Sequence, residues 1–404
     1  MKKRINEAFM TQFSSTNKSK QSLFTDIQTH GIRLLNREQE HVSRRGGAGP
    51  SDHQAIVIDD TSLMVPVHTQ SSIDSPYTLD KLPSGGTQLM LDGKAVTDVS
   101  FAKQPAFYTL KTADGIPYSK IATLHSTDVL ATTVLQTCIR YETRKQTCKF
   151  CSIGQSLAAD RTIARKTPEQ LAEVAKAAVE LDHVKHMVMT TGTTASDDRG
   201  AKVLCESVLA VKSSVDLPIQ VQCEPPKDLI WLQRLKDAGA DSLGLHLEAV
   251  SPKVRQHVMP SKASISIEEY MTAFQAAVPI FGWAQVSTYI LAGLGDSAEE
   301  ILEMCERLTE IGVYPFVVPF VPIRGTPMED HQPPSSEFMH SILEPLGHML
   351  QKFQLLSTDV KAGCARCGAC SSLKSFEGHE KENLTSHELT ENKHQTLFNA
   401  IEIA

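Results

Sequence analysis

Nine cysteines occur in the chain, and six of them are gathered in two short stretches. Cys138, Cys148 and Cys151 fall within CIRYETRKQTCKFC, and Cys364, Cys367 and Cys370 fall within GCARCGACSS. Two thiols two residues apart can bind one metal centre from a tight turn, and a third can join from farther along the loop. A structural zinc ion wants four ligands. A 4Fe-4S cluster also takes four, but three thiolates leave one iron open for another molecule. For the first trio, a zinc knuckle or thiols with no common partner stay open as readings. The second trio is spaced as in ferredoxins, and its small neighbours let a loop wrap closely about a metal. An auxiliary iron–sulfur cluster is the leading expectation there, with a structural zinc or incidental thiols as alternatives. Its fourth ligand is not evident: Ser371, Ser372, an isolated cysteine, a histidine of the tail or a substrate are all candidates. Cys205, Cys223 and Cys305 stand alone in apolar segments and read as small buried hydrophobes.

The elements that must position the first trio are legible as an alternation. An apolar run, VLATTVLQ, leads to Cys138. TPEQLAEVAKAAVELD has the marks of a helix start, with Thr167 as cap, Pro168 in the first turn and Gln170 completing a capping box. HMVMTT, LPIQVQC, DSLGLHLE, AQVSTYILAG and YPFVVPFVPI read as short buried strands, each followed by a helical stretch. SAEEILEMCERLTEIG repeats the capping box at Ser297 and Glu300. Strand–helix alternation implies a parallel sheet with helices outside. The expected fold is α/β: a partial (βα)6 TIM-type barrel over residues 126–356. A polar and β-rich N-terminal extension (1–125) precedes it, and a cysteine-containing C-terminal segment with a mobile tail (357–404) follows. A flat doubly wound sheet is the main alternative. In both, ligands gather at the carboxyl ends of the strands, where the first trio falls. Residues 1–60 read as polar and weakly periodic, with a glycine-rich turn at RRGGAGPSDH that lacks the strand and lysine of a phosphate-binding loop.

The chain has 404 residues, 41% hydrophobic and 22% charged, with a formal net charge of −7, which gives no footprint of a general nucleic-acid binder. No leader peptide and no apolar run of membrane-spanning length is found, so a cytoplasmic location with reduced thiols is expected. No serine–histidine–acid set, zinc-protease helix or phosphate-binding loop is found.

The cysteine pattern resembles the radical S-adenosylmethionine (radical SAM) superfamily, in which an aromatic residue sits between the last two cysteines, as Phe150 does here. The usual spacing there is Cys-x3-Cys-x2-Cys. This chain has nine residues between Cys138 and Cys148, which makes Cys138 the least secure ligand. The added loop length costs only about 1 kcal/mol of closure entropy. Later segments agree in order. VMTTGTTASDDRG (Val188–Gly200) is similar to the second strand end of biotin and lipoyl synthases, which holds the amino group of SAM. LHLEA (Leu245–Ala249) is similar to the fourth, which touches the ribose; ILAGLGDSAEE (Ile290–Glu300) to the fifth, which passes the adenine; PFVPIRGTPME (Pro319–Glu329) to the sixth.

The resemblance implies that Cys138, Cys148 and Cys151 hold the SAM-binding 4Fe-4S cluster. It implies that Phe150, Thr190, Thr191, Gly192, His246, Glu248, Gly293 and Gly295 contact SAM, and that reductive cleavage yields a 5′-deoxyadenosyl radical. His246 and Glu248 also read as a core histidine and a structural acid, and the two glycines as shapers of a turn. A small-molecule substrate and a reductant such as flavodoxin or ferredoxin are implied as partners, with neither nucleic acid nor membrane. The whole chain most resembles the radical SAM proteins of bacterial nitrilase-associated gene clusters, linked to cyanide assimilation. The rival expectations are a zinc-stabilised (βα)-barrel lyase or hydrolase, and a non-catalytic iron–sulfur protein.

Overall fold

The computed structural model describes residues 20–34, 52–142 and 146–378. Its larger sheet has seven strands in the order β12-β11-β10-β9-β8-β7-β6: β6 (Thr123–His125), β7 (Val129–Thr133), β8 (His186–Thr190), β9 (Ile219–Gln222), β10 (Ser242–Gly244), β11 (Val286–Ala292) and β12 (Val313–Pro319). β7 to β12 are parallel and β6 is an antiparallel edge. β12 and β6 lie at opposite ends of that order, so the sheet is an open, curled half-barrel with helices outside, as the alternation predicted.

Side-chain alternation sorts the two faces. Met187 and Met189 of β8, and Ile219 and Val221 of β9, pack in the main hydrophobic core with the helices. Val188, Thr190 and Gln222 line the cavity inside the curl. The capping boxes expected at Thr167/Gln170 and Ser297/Glu300 are both present, and they start the helices Pro168–Asp182 and Ala298–Glu310. β10 ends at Gly244, well before the end of the expected DSLGLHLE strand. Beyond it Glu248 adopts a positive φ of 65° and makes an isolated bridge to Ile290. The alternation of faces nevertheless continues, with Leu245 and Leu247 in the main core and His246 and Glu248 on the cavity.

The N-terminal strands form a separate antiparallel sheet in the order β2-β1-β5-β4-β3: β1 (His53–Ile58), β2 (Thr61–Pro66), β3 (Tyr77–Lys81), β4 (Thr87–Leu91) and β5 (Lys94–Phe101). A helix over residues 20–30 packs Phe24 and Ile27 on it, against Ile56, Leu63 and Val65. The expectation of a weakly periodic segment up to residue 60 is therefore corrected. HQAIVI is a strand whose apolar residues alternate into this second core. Most of the glycine-rich turn, residues 44–51, lies outside the described residues.

The expectation of a mobile tail is corrected for residues 371–378, and residues 379–404 lie outside the described residues. Ser371, Ser372, Leu373, Phe376 and Glu377 are all buried, and the short helix Ser372–Phe376 packs on the helix Ser336–Lys352. Ahead of it, the second cysteine trio sits in a loop plugged into the half-barrel. Gln220 Nε2 donates to Ser287 Oγ (2.9 Å), and Gln222 Nε2 donates to Gln220 Oε1 (2.7 Å). The Cys364 N–H also donates to Gln220 Oε1 (3.2 Å), and the Gly363 N–H to His186 Nδ1 (3.2 Å). From the other side, the Met64 N–H (2.7 Å) and Gln28 Nε2 (2.9 Å) both donate to the Ala369 carbonyl. Gln220 is fully buried, and a buried amide is stable only when hydrogen-bonded. The polar pair in β9 is thus accounted for by the loop that it receives.

Gly363 has φ +107°, and a Cβ there would lie 2.1 Å from Gln220 Cδ. Gly363→Ala should therefore displace the loop and destabilise the protein by about 2 kcal/mol in chemical denaturation. Gly86→Ala, whose Cβ meets nothing nearer than Leu82 Cδ1 at 3.5 Å, should change stability by less than about 0.5 kcal/mol.

Candidate functional site

All six clustered cysteines line one cavity of about 390 Å³, enclosed by the curled sheet, the C-terminal loop and the edge of the N-terminal sheet. Cys138 follows β7 by five residues and is backed by the end of β8. A Cβ on Gly192 would lie 1.9 Å from the Thr137 carbonyl oxygen and 3.1 Å from Cys138 Cβ, so only glycine lets these two segments touch. The Thr193 N–H points at Cys138 Sγ (3.4 Å). Cys148 and Cys151 close one turn, with the Cys151 N–H donating to the Cys148 carbonyl (3.0 Å), and the Ile153 N–H is directed at the Cys151 sulfur.

The second trio is served in the same way. Gln222 Nε2 donates to Cys364 Sγ (3.2 Å), the Ala369 N–H and the Ser126 hydroxyl face Cys367, and Tyr289 and His125 Nε2 (3.5 Å) face Cys370. Burial pushes the Cys148 thiol well above its ordinary range, Cys151 and Cys364 up to about 12, and Cys367 to about 11. These thiols ionise only when a positive centre takes the place of the proton. Donors aimed at sulfur are what thiolate ligands require, so the donor set fits iron–sulfur ligation. Among the described residues no three Cys, His, Asp or Glu side chains are gathered to hold one metal ion.

At the carboxyl ends of the strands the cavity carries two buried ion pairs. Arg140 Nη2 binds Glu224 Oε2 (2.7 Å), its Nε takes the other oxygen (2.5 Å), and Nη1 donates to the Ser261 carbonyl (2.6 Å). This fork ties the short helix Ile139–Glu142, just after Cys138, to the end of β9. Lys262 Nζ donates to Glu248 Oε2 (2.8 Å). Burial alone would push the Lys262 ammonium down, but Glu248, Tyr270 and Glu224 outweigh it and hold the group charged. Among the described residues this is the one hydrogen bond of that ammonium, which leaves it able to meet an anion in the cavity.

His246 is held neutral, its pKa lowered to about 3 by burial and by Lys262. The Tyr289 N–H donates to His246 Nδ1 (3.1 Å), so the ring proton sits on Nε2. Phe150 and Cys148 both pack against a small buried cluster that includes Ala249, Val258, Met259 and Leu294.

Twelve of the fourteen residues singled out in the sequence line this cavity: the six cysteines, Phe150, Thr190, Thr191, Gly192, His246 and Glu248. Gly293 and Gly295 lie in the turn after β11, off the lining. Sequence reasoning missed Lys262, Arg140 and Glu224. Arg140 stands two residues after Cys138, a proximity that could have flagged it, whereas nothing in MPSKAS distinguishes Lys262 from a surface lysine.

Residues 144–318 match the family model described as the radical SAM superfamily, a span that holds Cys148 and Cys151 and begins after Cys138. That match, over somewhat less than half of the chain, supports an enzyme of the radical SAM type. It is 24% identical over 369 residues to the bacteriochlorophyllide c C-7(1)-hydroxylase of Chlorobaculum limnaeum, covering 85% of this chain and 90% of that one. Among solved structures, methylornithine synthase aligns with a TM-score of 0.43 at 19% identity, over 63% of this chain and 75% of that one. A radical SAM methyltransferase from Sphaerobacter thermophilus aligns with a TM-score of 0.42 at 16% identity, over 74% and 81%. Among the described residues no helix is long and apolar enough to cross a membrane.

Proposed function

We propose that the chain uses SAM to remove a hydrogen atom from a carbon of a small, polar substrate held between the two cysteine trios. Cys138, Cys148 and Cys151 hold a 4Fe-4S cluster with one iron open to SAM, and Cys364, Cys367 and Cys370 hold a second cluster. When bound, the first cluster and SAM supply a 5′-deoxyadenosyl radical as the hydrogen-abstracting agent. The observation that carries this reading is the convergence of both trios and the strand-end residues on one cavity.

The chain's own groups orient and enclose. Lys262 takes the α-carboxylate of SAM, and the Thr190–Thr191–Gly192 segment takes its amino group. The Nε2–H of His246 and the Glu248 carboxylate take the ribose, and Phe150 packs on the adenine. Gly293 and Gly295 shape the turn beside that adenine. Arg140 acts as a positioning residue for the Cys138 loop through Glu224 and Ser261. The N-terminal helix, through Gln28, and the N-terminal sheet, through His53 and Met64, flank the cavity and so help keep water and competing hydrogen donors from the reacting carbon.

The cavity of about 390 Å³ has to take SAM together with the substrate, so the substrate fills only part of it, which favours a small one. The resemblance to nitrilase-cluster proteins supports a nitrogen-containing one. The match to a hydroxylase over 85% of the chain supports oxidation of a C–H bond as the outcome.

Anaerobically reconstituted, reduced protein given SAM should release 5′-deoxyadenosine and methionine in equal amounts. Fully loaded protein that releases neither contradicts the reading.

A further inference from the structure

Two amides on the cavity wall are hydrogen-bonded at one end only among the described residues. Gln28 is 1% exposed and Gln136 is 3% exposed, and both line the cavity that holds the two cysteine trios. Each is held through its nitrogen. Gln28 Nε2 donates to the carbonyl of Ala369 (2.9 Å), which lies between Cys367 and Cys370. Gln136 Nε2 donates to the carbonyl of Ile153 (3.2 Å), two residues after Cys151. A carbonyl oxygen can accept from an amide nitrogen and has no proton to give an amide oxygen, so these bonds fix the orientation of both amides. Gln28 Oε1 and Gln136 Oε1 are therefore buried acceptors, and among the described residues neither has a hydrogen-bond partner. A buried acceptor is costly to leave unmet, so such an oxygen beside a ligand cavity points to a donor brought by the ligand.

The charges on the same wall are already matched. Among the described residues lining the cavity, the lysine and arginine are Lys262 and Arg140, and the carboxylates are Glu248 and Glu224. Arg140 grips Glu224, and Lys262 bonds Glu248 and is assigned above to SAM. A charged substrate would find no unmatched counter-charge among these four groups, which favours an uncharged donor.

We propose that Gln28 and Gln136 determine substrate specificity by accepting hydrogen bonds from uncharged N–H or O–H groups of the substrate. This rests on the reading that the substrate lies between the trios, and it adds the chemistry by which the substrate is chosen: a neutral donor of amide or alcohol type.

The test uses the full chain, reconstituted anaerobically and kept oxidised with SAM present, so that nothing turns over. Binding of two matched probe pairs is measured by ligand-observed NMR: N-methylacetamide against methyl acetate, and 1-butanol against methyl propyl ether. In each pair the first member donates one hydrogen bond and the second, of similar size, donates none. The donor of at least one pair should bind about tenfold more tightly than its partner, and the pair that shows it tells N–H from O–H. In Gln28→Leu and in Gln136→Leu that preference should shrink, with the affinity of the ester or ether unchanged. Equal affinities within both pairs, or no binding of either donor, overturn the proposal. A full preference that survives one of the substitutions overturns the assignment of that glutamine. The comparison of probes on the parent chain needs no variant, so a substitution that fails to fold does not shield the proposal. Reduction of the same preparation then tests the underlying reading: 5′-deoxyadenosine released without a donor preference overturns this inference alone, and a preference without release overturns the SAM reading.

Discussion

Replacing Cys148 by alanine is expected to reduce 5′-deoxyadenosine formation to less than about one-hundredth of the parent rate. Outer-shell partners of metal ligands already cost about 10- to 100-fold when removed, and a ligand does more. Iron should fall from about eight to about four per chain, because the proposed C-terminal cluster would be held by separate residues. The two readouts together are informative. The cavity holds both trios, so loss of all iron would mean that the centres do not assemble independently. Retention of activity would mean that the Cys148–Cys151 turn is not a ligand pair. Cys138→Ala should behave in the same way. That result matters because the match to the superfamily begins at residue 144 and leaves Cys138 outside it. The case for Cys138 rests instead on position. Gly192 presses against its loop, the Thr193 N–H points at its sulfur, and Arg140 anchors the helix that follows. Those contacts place the thiol on the same cavity wall as Cys148 despite the long spacer.

Lys262→Met is expected to weaken SAM binding by about 100-fold, some 2.7 kcal/mol, while leaving the iron content unchanged. The ammonium sits at 9% side-chain exposure, paired with a Glu248 carboxylate at 20%. Removing one partner of a buried pair exposes the full cost of the other's desolvation, so stability should also drop, by up to about 3 kcal/mol. Glu248 retains some solvent, which keeps that loss at the lower end of the buried-pair range. Equilibrium dialysis with SAM, alongside iron analysis and chemical denaturation, separates the effects. Lys262→Arg should recover part of the binding, since it keeps the charge but changes its geometry. Unchanged SAM affinity in folded, loaded Lys262→Met protein would remove Lys262 from the SAM site.

The parallel half-barrel was legible because the periodicity, the capping boxes and the glycine stops all agreed along one segment. Thr167–Gln170 and Ser297–Glu300 are local signals, and tertiary packing did not need to override them. The cysteines and the strand-end residues were legible as types and spacings. What was not legible depends on contacts between distant parts of the chain. β10 stops at Gly244 although its side chains go on alternating between core and cavity, and no pattern in DSLGLHLE announces the positive φ at Glu248. Gln220 and Gln222 read as ordinary polar strand positions, yet they are buried and receive a loop more than 140 residues away. Lys262 is a lysine in a loop until Glu248 meets it across the site. HQAIVI fell within the segment read as weakly periodic, and its strand is defined by its pairing with β2 and β5.

The central claim is that the first cluster has an iron open to SAM. The most direct test is pulsed ENDOR on the reduced protein with SAM labelled by nitrogen-15 in its methionine amino group. The account predicts a strong nitrogen coupling that is present in chains lacking the C-terminal trio and absent from Cys148→Ala. A fully loaded first cluster that gives no such coupling at saturating SAM would contradict it.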